Sequence, residues 1–259
     1  QKKDQKTALK LQQKLARDRQ LKSDDAKLAA LYLANRQIDE GFASIQRGFA
    51  KPGDNAPFLK MLRVLLQKED RPEIREWMAA QPPTVDGYDE LQLLLAQAEM
   101  KADPQQARQR LQALMEKNDP RAVILMAQAE PDQAVSTLQQ ALERKYHPLI
   151  AQLLYQYHLK KGDRDALKLL LEQIEQKQQE GPQKDALLAR GYLRLGDRVK
   201  ASAFADQLEK KGLKAQALEL KGDIELAARQ PKQAIRAYAA ALRLQPADAL
   251  ATKLFQTRI

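Results

Sequence analysis

Residues 182–214 read PQKDALLARGYLRLGDRVKASAFADQLEKKGLK, and residues 215–248 continue AQALELKGDIELAARQPKQAIRAYAAALRLQPAD. In the second stretch Gly222, Ala234, Tyr238, Ala241 and Pro246 stand at positions 8, 20, 24, 27 and 32. Each suits a place in a pair of packed helices. Gly222 lets two helices approach closely, and Ala234 and Ala241 offer small surfaces where the second helix crosses the first. Tyr238 fills the gap between successive pairs. Pro246 opens the next helix, where its missing N–H costs nothing. The first stretch carries the complementary half of the pattern, with Ala189, Tyr192, Gly196, Ala201, Ala205 and Leu208 at positions 8, 11, 15, 20, 24 and 27. The later copy has Glu225 and Arg229 where the earlier one has Tyr192 and Gly196. Two imperfect copies whose matches complement each other define a repeat better than either alone.

On these residues the segment resembles the tetratricopeptide repeat, a helix-turn-helix unit of about 34 residues. Further back, the small residue opening each second helix recurs at Ala166, Ala134 and Ala107, giving intervals of 27, 32, 35 and 33 up to Ala234. The 27-residue step calls for a short first helix, bounded by Asp119-Pro120 and Glu130-Pro131. Asp103-Pro104, Gly162-Asp163 and Gly196-Asp197 supply the capping carboxylates, N1 proline and turn glycines that start and stop helices. The resemblance runs from about residue 86 to the end. It implies an all-α chain folded as a right-handed superhelical solenoid of antiparallel hairpins. It also implies a concave groove lined by the first helix of each hairpin. The groove positions are then Gln183, Ala186, Arg190, Leu193 and Arg194, followed by Gln216, Glu219, Asp223, Leu226 and Ala227. Their mixture of charges suits an extended peptide or helix carrying both signs.

Outside the array, residues 1–22 place Ala8, Leu11, Leu15 and Ala16 on one stripe of a basic amphipathic helix. Residues 23–85 read as divergent hairpins, Leu28–Asn35 with Ile38–Ala50 and Phe58–Gln67 with Ile74–Ala80, with no good match to the repeat offsets. No alternating strand pattern is present. The net charge of +10 is unevenly spread. Residues 1–22 carry eight basic and two acidic side chains, residues 23–181 carry 21 and 24, and residues 182–259 carry 15 and eight. A chain holding a polyanion along its length would not be acidic through its middle. The basic first segment is expected to be a solvated spacer, with proximity to an anionic membrane as the other reading. The chain starts at Gln1 without an initiator Met or an apolar signal core, which suggests a mature or excised piece.

Chemistry is sparse. There is no cysteine, phosphate loop or nucleophile motif. His147 and His158 have no acidic cluster beside them, so packing or surface roles are expected rather than a metal site. Glu69-Asp70 and Asp24-Asp25 read as helix-end carboxylates, and Trp77 as a core plug. No cofactor and no small-molecule substrate are called for. The function expected is a non-enzymatic protein-binding scaffold. The turn Leu195-Gly196-Asp197 and the closing run from Ala249 to Leu254 resemble tetratricopeptide proteins of bacterial envelope and exopolysaccharide-export systems. That resemblance implies a periplasmic or membrane-associated setting, with the cytoplasm left open. Clamping of an acidic chaperone tail is disfavoured, because the partner Asn and Lys residues are missing. The alternative is an RNA-binding helical repeat. The run Asp206–Leu213 resembles a pentatricopeptide unit, but no polar pair recurs at unit-length intervals to read bases.

Overall fold

The computed structural model describes residues 8, 10–14, 21–69, 71–177 and 181–258. Among the described residues every regular element is helical. The chain divides into two compact units, Gln1–Ala129 and Glu130–Ile259.

In the first unit, helices α1 (Lys22–Ala34), α2 (Ile38–Phe49), α3 (Ala56–Lys68), α4 (Pro72–Ala79), α5 (Tyr88–Ala102), α6 (Pro104–Glu116) and α7 (Pro120–Ala129) follow in order. The pairs α1–α2 and α5–α6 are close hairpins, whereas α4 packs chiefly on α5. Phe49, Phe58, Leu62, Ile74, Met78, Leu91 and Leu95 are buried in one core shared by α2, α3, α4 and α5. The expected plug Trp77 lies against it, edge-on to Phe42 at 5.5 Å and to Phe49 at 5.3 Å. Asp24 and Asp25 need correcting. The N-cap of α1 is Leu21, and both carboxylates are buried instead of capping. Asp25 accepts from Lys51 at 2.5 Å and lies 3.5 Å from Arg47, while Gln12 donates to Asp24. Lys51 and Arg47 across the hairpin offset the burial of the Asp25 carboxylate, because a buried carboxylate needs a partner charge. Most of the segment 1–22, with Leu15 and Ala16, lies outside the described residues. Within it Gln12 is buried and Leu11 is exposed, the reverse of the expected stripe.

The second unit holds α8 (Ala134–Arg144), α9 (Pro148–Lys161), α10 (Arg164–Gln176), α11 (Pro182–Leu195), α12 (Arg198–Lys210), α13 (Lys214–Ala227), α14 (Pro231–Leu244) and α15 (Asp248–Arg258). Each helix packs on the next, and α9, α11 and α13 also lie side by side. The starts follow the capping chemistry read from the sequence. Asp163 accepts from the N–H of Ala166 at 2.9 Å, and Asp197 from that of Lys200 at 3.0 Å. Gly162 and Gly196 end α9 and α11 with φ of 71° and 88°, where a Cβ would be strained. Ala134, Ala201 and Ala234 are fully buried at the crossings. Ala166 is only partly buried, and Leu167 takes the inward place. Gly222 takes the face of Tyr238: a Cβ there would come within 2.4 Å of the ring. Tyr238 also packs with Leu250 of α15, so it joins its own hairpin to the next helix.

Candidate interaction groove

Helices α9 and α11 open on Pro148 and Pro182, α15 opens on Asp248, and α13 starts after the Gly212 turn, so their solvent-facing side chains fall into columns. Gln156, Arg190 and Asp223 form one column, and Leu159, Leu193 and Leu226 another, at intervals of 34 and 33 residues. These columns line an open groove of about 730 Å3. Gln152, Tyr155, Arg194, Ala227 and Lys253 complete its lining. Leu159 and Leu226 expose 37% and 43% of their surface, unusual for leucines inside a concave wall unless something covers them.

The electrostatics of the two ends differ. On the α13 side, both Asp223 oxygens receive the Lys253 ammonium at 2.9 Å, and the Tyr238 hydroxyl donates to Asp223 Oδ1 at 2.7 Å. Lys253 also donates to Glu219 Oε1 at 2.7 Å. Burial and the Asp223 carboxylate beside it hold the Tyr238 phenol well above its usual range. Burial alone would depress the Lys253 ammonium, but Asp223 and Glu219 raise it, so it stays charged. The single ammonium of Lys253 thus offsets one of the two carboxylate charges here and takes up hydrogen-bond acceptors on both. On the α11 side, Arg190 and Arg194 are one turn apart and exposed, and neither pairs with a carboxylate among the described residues. They share the lining with Tyr155, whose phenol is raised by burial and pulled back by the charges of Arg194 and Arg190.

Of the sequence-predicted residues, Arg190, Leu193, Arg194, Asp223, Leu226 and Ala227 are brought together in this groove. Gln183 is exposed in the first turn of α11 and lies outside it; Ala186 is buried. Gln216 is half-buried outside the lining, and Glu219 serves Lys253 rather than the open wall. The α9 contribution of Gln152, Tyr155, Gln156 and Leu159 was not read from the sequence. Stepping the Arg190 and Leu193 columns back by 34 residues would have found Gln156 and Leu159. Lys253 has no such signal, since its importance arises from which carboxylates it meets.

The histidines do not converge. His147 caps α9, its Nδ1 accepting from the N–H of Leu149 at 3.3 Å, while His158 is buried at the other end of that helix. Among the described residues no group of three metal-ligating side chains assembles, and no helix is long and apolar enough to cross a membrane. A second polar cluster is structural. Glu175 of α10 accepts from the Tyr192 hydroxyl and, at 3.0 Å, from Lys200, whose ammonium lies 4.5 Å from the Tyr192 ring centre.

The fold and groove define a class: an all-helical repeat protein of antiparallel hairpins whose first helices build an open, ligand-sized wall. No protein-family model matches the chain, and no curated protein does. Among solved structures it is similar to a chain of the APC/C hetero-tetramer Cut9–Hcn1 (18% identity, TM-score 0.47, 88% of this chain and 49% of that one). It is also similar to a tetratricopeptide repeat protein from Parabacteroides merdae ATCC 43184 (14%, 0.38, 100% and 94%) and to the TPR domain of P58(IPK) (13%, 0.33, 98% and 97%). The chain thus spans about half the length of the Cut9–Hcn1 chain it matches.

Proposed function

We propose that this protein is a non-enzymatic binding scaffold whose second unit holds a segment of another protein in the groove across α9, α11 and α13. One observation carries this reading. Three successive first helices present a column of leucines beside two arginines that have no carboxylate partner among the described residues. A side chain that is apolar and half exposed, next to a guanidinium with unused donors, gains on covering through both burial and charge-assisted hydrogen bonds. Nucleic acid is the poorer fit, because the same wall carries Asp223 and residues 23–181 hold more acidic than basic side chains.

We also place the protein in a bacterial envelope assembly, periplasmic or membrane-associated, a reading supported by the sequence character of residues 195–197 and 249–254. Cell fractionation of a tagged chain tests the compartment; recovery in the cytosolic fraction alone removes it. For the groove, a photo-crosslinking side chain placed at Leu226 should capture a protein in cells. The same group at Val199, which is 83% exposed on α12 and outside the groove, should not. Equal capture from both positions overturns the groove reading.

A further inference from the structure

We infer that the occupant of the groove is an acidic, extended peptide segment carrying leucine-sized side chains beside its carboxylates. This rests on the groove reading above and goes beyond it, because the wall's charges alone suggest a ligand of mixed sign. The structure removes that symmetry. Asp223 accepts from Lys253 on both oxygens and from Tyr238 on one, and Lys253 also donates to Glu219, so the hydrogen-bonding capacity of Asp223 is largely taken up. The groove lining as a whole sets Arg190, Arg194 and Lys253 against Asp223 as its one carboxylate. The cationic end is different. Arg190 and Arg194 lie one turn apart on α11, exposed, with no carboxylate partner among the described residues. The planar fork of a guanidinium matches a carboxylate better than an ammonium would.

The apolar requirement comes from the neighbouring column. Leu193 stands on the same helix as the arginines, and Leu159 and Leu226 flank it on α9 and α13. Packed helices lie roughly 8–10 Å apart and an extended chain advances about 3.3 Å per residue. An extended ligand crossing the wall therefore meets successive helices about every third residue. Its carboxylates sit over α11, and apolar residues about three positions to either side sit over Leu159 and Leu226.

Fluorescence anisotropy on the full chain tests this with four labelled probes. They are a short peptide with two adjacent Glu flanked at the third position by Leu, the same peptide with Lys for Glu, the same with Ser for Leu, and a single-stranded RNA of similar length. The Glu–Leu peptide should bind roughly tenfold or more tightly than each of the others, and the preference should fall as salt rises. R190E/R194E should reverse the order of the Glu and Lys peptides while helicity by circular dichroism stays the same. Equal binding of Glu and Lys peptides, or tightest binding of RNA, overturns the assignment. Capture at Leu226 with equal peptide binding leaves the groove standing and removes only the acidic ligand. No capture and no peptide binding remove both.

Discussion

Gly196 and Arg229 occupy the same place in consecutive hairpins, and both take the left-handed conformation, at φ of 88° and 60°. The turn is thus dictated by backbone geometry, and the residue that lacks the usual glycine still adopts it at a cost. Left-handed backbone costs a side-chain-bearing residue roughly 1–2 kcal/mol, partly offset by the entropy a glycine loses on folding. Arg229→Gly should therefore stabilise the second unit by about 0.5–1 kcal/mol, read as a higher denaturation midpoint. Gly222 works the other way. A methyl there would press on Tyr238, whose ring is packed between α13 and α15, so Gly222→Ala should destabilise by about 1–3 kcal/mol. His158 gives a pH test. Burial lowers its pKa, with Asp163 opposing and Lys161 assisting, so the folded chain resists its protonation. Its stability contribution is present above the unfolded-state value of about 6.5 and declines as pH falls below it. The melting temperature of His158→Gln should fall less than that of the wild type between neutral and mildly acidic pH.

At the scale of elements, much was legible because the signals were local. Asp163 and Asp197 cap as read, Pro120 and Ala129 bound the short helix that the 27-residue step demanded, and Ala201 and Ala234 are buried at crossings. What escaped was pairing at a distance. Nothing in the sequence neighbourhood of Asp24 and Asp25 announces Gln12 and Lys51, and Lys253 declares itself only when α15 folds against α13. The groove was half legible for the same reason: columns follow from the repeat interval, but the pairing of Lys253 with Asp223 and Glu219 does not. The crossing at Ala234 gives the strongest element-level prediction. A glutamate there would be buried without a partner, costing at least about 3 kcal/mol, so Ala234→Glu should unfold the α13–α14 hairpin. Hydrogen exchange should show protection lost over residues 214–244; unchanged exchange there would mean the crossing lies elsewhere.

Over the whole molecule, the two units each have their own buried clusters, and in repeat architectures stability accumulates through neighbouring contacts. The sole tryptophan reports on one of them, since Trp77 packs on Phe42 and Phe49 in the first unit. In Ala234→Glu the Trp77 fluorescence transition should stay where it is in the wild type while far-ultraviolet circular dichroism loses helix early. A common shift of both signals would show that the units melt as one.

Lys253 also ties two properties of the second unit together. Its ammonium fastens α15 to the carboxylates of α13 while its side chain forms part of the groove lining. An occupant whose own carboxylate competes for that ammonium loosens the last helix. By thermodynamic reciprocity, anything that clamps the last helix in place weakens that occupant's hold by the same factor. The seating of the final helix and the filling of the groove then form one linked equilibrium, adjustable from either side.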